Sequence, residues 1–348
     1  MAYSSIAKPT DYFNTKLYTG NGGAQSITGV GFQPDWIWLK RRDGGASHRL
    51  VDSVRGTQKG LYSNETTAEL TETGLVTSFD SDGFTLNSSD IAFNGSSSTY
   101  VSWNWLAGGS TASNGNGSIT STVSANTTSG FSIVSYTGTG SVATVGHGLG
   151  AGPKLIIVKT RSLSGEAWPV DSRVASGILY LNETGAKGSY GDSSPFPSTA
   201  PTSTVFSIGT PNNTNGSGAT YIAYCFAEVK GYSKIGSYTG NGNADGTFVY
   251  TGFKPAWVMV RETSNVNSWR ILDNKRDTFN VMTQSLYANL NNAEGSSGHN
   301  TDFISNGFKI RDSDTSMNRS SGSFIFMAFA ENPFVANDSG TAVPVVAR

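Results

Sequence analysis

Charge, cysteine and long apolar runs are all scarce in this chain. Only 14% of its 348 residues are charged, and 24 Lys and Arg stand against 25 Asp and Glu. No basic run exceeds Lys40-Arg41-Arg42, so the positive footprint that a phosphate backbone requires is missing and no nucleic-acid partner is expected. Cys225 is the only cysteine, which excludes an internal disulfide framework and fits synthesis in a reducing cytoplasm. No apolar run approaches the roughly 18 residues of a membrane helix, so membrane insertion is not expected. The opening MAYSSIAKPTDYF lacks a charged start followed by an apolar stretch, and no secretory leader is expected. The three histidines, His48, His147 and His299, show no metal spacing and read as surface or turn residues. There is no G-x-S-x-G elbow and no Ser, His and Asp set, so the chain does not read as an enzyme.

What is abundant is glycine, 42 residues, with aromatics at 11% and Ser, Thr and Asn crowding the stretches between motifs. The motifs themselves occur three times. YTGNG at Tyr18 returns as YTGTG at Tyr136 and YTGNG at Tyr238. Next come GFQPDWIWLK at Gly31, GLGAGPKLIIVK at Gly148 and GFKPAWVMVR at Gly252, with Pro34, Pro153 and Pro255 in step. An Asp with a following Arg comes third: Asp52 and Arg55, Asp171 and Arg173, Asp273 and Arg276. LYSNET at Leu61, LYLNET at Leu179 and LYANLN at Leu286 follow, and the copies close with YVSWNW, YIAYCF and FIFMAF. A period of roughly 100 residues is too long for one turn of a solenoid and implies that each copy is a complete small unit.

The closing segment alternates by size. Val101, Trp103 and Trp105 match Ile222, Tyr224 and Phe226, then Ile325, Met327 and Phe329, while the positions between are mostly small. That two-residue period predicts a strand with one face in a core, with Cys225 packed on its small face. The segment after each Pro is apolar on successive positions, as in a strand covered on both faces within a sandwich, and the Pro belongs at or just before its first residue. Asn-Gly pairs at Asn21, Asn94, Asn215, Asn241 and Asn306 are hairpin signals. The expected fold is all-β, with three tandem antiparallel β-sandwich domains of jelly-roll type. Residues 1–15 form an N-terminal arm, 16–106 the first repeat, 107–130 a flexible Gly/Ser/Thr linker with room for one short strand around Ile119 to Val123, 131–230 the second repeat, 231–334 the third and 335–348 a C-terminal tail. The short connection between copies two and three predicts tighter coupling there than between one and two.

Candidate sites are few. Asp80 and Asp82 in SFDSDGF, and Asp312 and Asp314 in RDSDT, are candidates for calcium, but neither has the full loop pattern and both read first as polar turns. Trp168 and Trp269, each just ahead of the repeated Asp, are the candidate receptor contacts, as a sugar-stacking platform, against a role in core or inter-module packing. The recurring Asp and Arg read as a turn cap or internal ion pair. No catalytic group, cofactor or metal set is assigned.

The run YTGNG, GFQPDWIWLKRR, VDSVRG, LYSNET, SFDSDGF and YVSWNWLAGG resembles a repeat of structural proteins of tailed bacteriophages, especially those of marine bacteria. FIFMAFAENPF with the GTAVPVVAR tail is similar to the C-termini of that group. Copy two departs from the pattern, lacking SDGF and carrying Leu155 in place of the tryptophan after the Pro. The resemblance implies a virion protein made in the bacterial host cytoplasm, with no enzymatic residues to carry over. It implies a tail fibre or host-attachment component that meets a host surface glycan or outer-membrane receptor. Capsid or tail decoration is the alternative, and a depolymerising tailspike is a third reading. Other virion proteins are the expected partners, and a homo-oligomer is expected, with trimer the usual state of fibres.

Overall fold

Alternating bulky and small side chains give a strand two distinct faces, and in each copy this closing segment lies inside a large antiparallel sheet. The computed structural model describes residues 4–296 and 299–333, and the backbone alone of 335–338 and 341–344. The remaining parts of the expected arm (1–3) and tail (339, 340, 345–348) lie outside the described residues.

In repeat 1 the sheet order is Phe13–Thr19, Thr99–Trp105, Trp36–Arg41, Arg49–Asp52. These are the opening, closing, proline and aspartate strands. Their counterparts in repeat 2 are Phe131–Thr137, Thr220–Phe226, Leu155–Thr160 and Pro169–Ser172. In repeat 3 they are Ser233–Thr239, Ser323–Pro333, Phe253–Glu262 and Arg270–Asp273. The register is common: Leu17 faces Val101, Ser135 faces Ile222, and Ser237 faces Ile325. Each YTG tyrosine stacks on a closing-strand ring, Tyr18 on Tyr100 at 5.0 Å, Tyr136 on Tyr221 at 5.1 Å and Tyr238 on Phe324 at 4.9 Å. The fold is therefore all-β and antiparallel.

A small sheet covers one face of each large one. It holds Ala24–Thr28 with Gly83–Asn87 in repeat 1, Ala143–Gly146 with Val205–Ile208 in repeat 2, and Phe248–Tyr250 with Gly307–Ile310 in repeat 3. Ile27, Phe84 and Leu86 meet Ile37 and Leu39 of the proline strand in the core so formed. Cys225 sits in the equivalent core of repeat 2, where burial drives its thiol pKa upward, as expected of an inert packing residue.

The other face of each large sheet turns toward the other two repeats, and one apolar cluster spans all three. Trp36 stacks on Tyr224 at 4.3 Å, Trp105 meets Trp257 edge-on at 5.8 Å, and Phe226 meets Phe329 edge-on at 6.1 Å. This corrects the reading of the closing and proline strands. The bulky set does not fill a sandwich of its own; it builds a core shared between repeats, so the second covered face of the proline strand is an inter-repeat face.

Other local expectations also change. Residues 107–130, linker-like in composition, contain two strands where one was expected, Ala112–Asn114 and Ser121–Asn126, and the second, overlapping the expected one, pairs along the opening strand of repeat 2. The expected arm is largely built in: Ile6 is buried in the shared core, Tyr12 meets Tyr232 at 6.0 Å, and the opening strand already begins at Phe13. Pro255 lies inside its strand at a register shift, the kind of bulge that tolerates a residue without an N–H. Asn94 and Asn215 are not hairpin turns. Each is buried and reaches across to the YTG loop, Asn94 accepting from Asn21 N–H at 3.3 Å and Asn215 from Thr139 N–H at 2.7 Å. Asn318 does the same for Asn241 at 2.9 Å in the third copy, which carries no Asn-Gly there. The need is for one side chain that both accepts and donates inside the fold.

Candidate functional site

The seams between repeats hold most of the residues that sequence reasoning singled out. A buried polar group is costly without a partner, and at each seam at least one indole or imidazole N–H finds its partner in the backbone of the neighbouring repeat. The Trp168 indole N–H donates to the carbonyls of Tyr62 and Glu65, both at 3.0 Å, so repeat 2 grips repeat 1. The Trp269 indole N–H donates to the Tyr180 carbonyl at 2.8 Å, so repeat 3 grips repeat 2. Both rings are buried, at 0% and 1% exposure, and neither reaches a surface where a saccharide could stack. Their proposed receptor role gives way to inter-repeat packing.

His48 occupies the third equivalent position. Its Nδ1 accepts the Trp38 indole N–H at 2.8 Å, which leaves the proton on Nε2 to be donated toward the Tyr287 and Leu290 carbonyls at 2.9 and 3.1 Å. Repeat 1 thus grips repeat 3, and the three contacts close a cycle in which each repeat holds the next. None of the histidines is a surface residue, contrary to the sequence reading: His48, His147 and His299 are all buried. The spacing could have revealed His48, four residues before Asp52 as Trp269 is before Asp273.

Burial holds the His48 pKa well below the usual value, and it pushes that of His299, with help from the neighbouring Arg270 charge, down to about 4. Asp312 and Asp314 oppose that shift without cancelling it. A histidine that stays neutral in the fold titrates first in the unfolded chain, near its ordinary value of about 6.5. Stability is therefore fully present above that pH and is lost as the pH falls toward the folded value. Melting temperature is expected to fall between about pH 7 and pH 5. A melt that sharpens and rises with acid over that range would contradict the buried neutral imidazoles.

The repeated Asp and Arg divide into two kinds. Arg55 is fully buried with Asp52, and Arg276 with Asp273, each arginine also donating to the backbone of its own aspartate strand. These pairs face the shared core. Tyr224 donates its hydroxyl to Asp52 at 2.8 Å and the Trp103 indole N–H donates to Asp273 at 3.0 Å, both across seams. Asp171 is not their equivalent. Trp36 and Trp257 pair with Asp52 and Asp273, whereas their counterpart Leu155 pairs with Ser172. One residue of offset turns a strand side chain to the opposite face, so Asp171 points away from the shared core and bonds Arg173 and Tyr190.

Three buried cations complete the seams. Lys40 donates to the Asn291 carbonyl at 3.3 Å, Lys159 to that of Thr66 at 3.1 Å, and Arg261 to that of Gly185 at 2.5 Å. Burial is the main cause that lowers their pKa values, Lys40 to about 7, Lys159 to about 8 and Arg261 to about 10. At equivalent positions two seams add ion pairs, Arg161 with Glu69 at 2.9 Å and Arg42 with Glu294 at 2.8 Å. At the seam between repeats 3 and 2 the corresponding residues are Thr263 and Lys187, joined only through backbone at 2.9 Å. The boundary between copies two and three carries instead the partly exposed pair of Lys234 with Glu228 at 3.3 Å, so ion pairing does not single out that coupling as the tighter one. A groove of about 600 Å³ opens at the outer side of that same seam, between Lys154 and Val174 of repeat 2 and the opening strand of repeat 3.

The acidic pairs considered for calcium are occupied by their own turns. Asp82 accepts the N–H groups of Gly29 and Gly31 at 2.9 and 2.7 Å, and Asp80 accepts from Ser78 and Thr85. Asp312 accepts from Asp314 N–H, and Asp314 caps the short helix Thr315–Asn318. No group of three or more His, Cys, Asp or Glu residues able to hold a metal ion is present among the described residues. No helix there is long and apolar enough to cross a membrane.

Replacing Trp168 with Phe keeps most of the packing and removes the donor. The Glu65 carbonyl then loses its indole donor and the Tyr62 carbonyl keeps only the Glu65 N–H at 3.1 Å, which is expected to cost about 1–3 kcal/mol. Urea unfolding checks this, and a loss within error of zero would mean that water replaces the indole.

The fold and these seams define a class: an all-β chain whose three repeats close in a cycle around one aromatic core. The chain belongs to the family described as Domain of unknown function (DUF7483), which matches residues 8–333 and so runs through all three repeats. No curated protein matches it.

Proposed function

We propose that this chain is a bacteriophage virion structural protein displayed on the particle surface, acting as a tail-fibre or host-attachment component. The observation that carries the reading is the division of labour in each repeat. The large sheets are committed to a rigid shared core, and the loops are left outward and free to differ, as suits recognition on a fixed scaffold. Phe279 at 75% exposure and Val266 at 71% are such outward positions. In this reading the repeats hold no catalytic set, and the ionisable groups at the seams serve cohesion. The partner would be a host surface glycan or outer-membrane receptor, with other virion proteins at the attachment point.

Capsid or tail decoration is favoured by a different observation: three repeats closed on one core make a block, not an extended fibre. Gold-labelled antibody on intact particles separates the two. Label at the tail or its fibres, with adsorption blocked by the same antibody, supports attachment. Label over the head retires the receptor reading, and particles without label retire the virion assignment itself.

A further inference from the structure

A sheet edge with unpaired N–H and C=O groups is a template for another strand, and folds either cover it or use it. The three opening strands are equivalent, yet among the described residues only that of repeat 2 is covered. Its partner is Ser121–Asn126, which with Ala112–Asn114 forms a two-stranded ribbon that follows the closing strand of repeat 1. Thr122 faces Ser135 and Ser124 faces Ile133. Val123 and Ile119 plug the mouth of the repeat 2 sandwich, at 5% and 7% exposure, with Ile119 bridged to Val145. In repeats 1 and 3 the opening strands Phe13–Thr19 and Ser233–Thr239 are outermost in their sheets among the described residues.

Repeat 3 shows the vacancy most clearly. Where the Ile119 and Val123 plug would lie, a groove of about 600 Å³ is floored by the buried Tyr238, Val249 and Phe326 and rimmed by Phe248 and Tyr250, 44% and 56% exposed. Along the edge, Ile235 N–H points outward to the Glu228 carboxylate at 2.9 Å. By the two-residue period Ser237, which is exposed, presents its N–H on the same side.

The chain also contains a second ribbon in the corresponding place. Directly after the closing strand of repeat 3, Val335–Asp338 pairs with Thr341–Pro344, and among the described residues this ribbon pairs with no other strand. Its strands carry the β-formers Val335, Thr341 and Val343 and one charge, Asp338, and the groove is lined by Lys154 and by Lys234, the latter paired with Glu228 at 3.3 Å.

We propose that the 335–344 ribbon of one copy adds to the Ser233–Thr239 edge of a second copy, as the 112–126 ribbon adds to repeat 2 within the chain. The ribbon leaves both open edges of its own chain uncovered, so a second copy is the partner that offers the edge it fits. The result is a homo-oligomer joined by strand addition at the repeat 3 groove. This does not depend on where in a virion, or whether in one, the protein acts.

The test uses the full chain. Light scattering coupled to size exclusion, at high micromolar concentration, is expected to give a mass of two or more copies. Excess synthetic peptide of residues 335–348 should reduce it to one copy by occupying the groove. Ser237→Pro, which removes an outward N–H at the edge, should have the same effect while leaving the circular dichroism spectrum unchanged. A full chain that runs as one copy overturns the proposal, including the case where the ribbon folds onto its own edge. So does an oligomer that persists with both the peptide and the substitution. If Ser237→Pro fails to fold, peptide competition decides alone.

Discussion

Residues 16–106, expressed alone, are expected not to fold, and the full chain is expected to unfold in a single cooperative transition. Trp36, Trp38, Trp103 and Trp105 of repeat 1 are fully buried in the shared core. A tryptophan buries about 150–250 Å², so at about 25 cal/mol/Å² each contributes about 4–6 kcal/mol of transfer free energy. Exposing four of them outweighs the stability of about 5–15 kcal/mol that a whole domain ordinarily has. Calorimetry checks the expectation: one peak, with calorimetric and van't Hoff enthalpies equal, and no native-like spectrum from the fragment. Two or three separable transitions would show that the repeats are independent domains, as the spacing of their motifs suggests, and that the shared core contributes little.

Arg276→Ala should lower stability by about 3–5 kcal/mol, because it leaves the Asp273 carboxylate buried without its counter-charge. Both side chains are at 0% exposure, and the Trp103 indole N–H from the neighbouring repeat is aimed at the same carboxylate. Arg173→Ala is the matched control. Asp171 is also buried and keeps its bond from Tyr190, but Arg173 is 14% exposed where Arg276 is at 0%, so water reaches the site that its removal opens and a smaller loss of about 1–2 kcal/mol is expected. Denaturant unfolding of the two variants gives the comparison directly. Equal losses would mean that the one-residue offset of Asp171 has no energetic meaning, and that the seams are not where the ion pairs act.

Much of the strand pattern was legible because local rules produce it. The size alternation of Val101, Trp103 and Trp105, the apolar run after each Pro and the shared YTG tyrosines all carry a period that the backbone imposes on any strand. The seam residues were harder to read. Trp168 and Trp269 looked alike, but His48 did not resemble them, because an indole and an imidazole share only the N–H that the seam uses. Asp171 looked equivalent to Asp52 and Asp273 until pairing placed it on the opposite face; motif similarity has no register, and register decides faces. Asn94, Asn215 and Asn318 carried a turn signal in two copies out of three, although their common task is to clamp a loop from inside.

Residue pattern alone marks the chain as all-β, as built three times from one motif set, and as carrying strands with a bulky and a small face at known places. These follow from side-chain period and turn chemistry, which act over a few residues. What the bulky faces meet is settled by the closure of the three repeats on one another. Apolar burial has no direction and no partner written into it, so the same alternation serves a sandwich core or a shared one. The choice was made by buried N–H groups and cations, those of Trp168, Trp269, His48, Lys40, Lys159 and Arg261, each of which finds its acceptor in the next repeat. Those acceptors are brought close only when all three repeats close together.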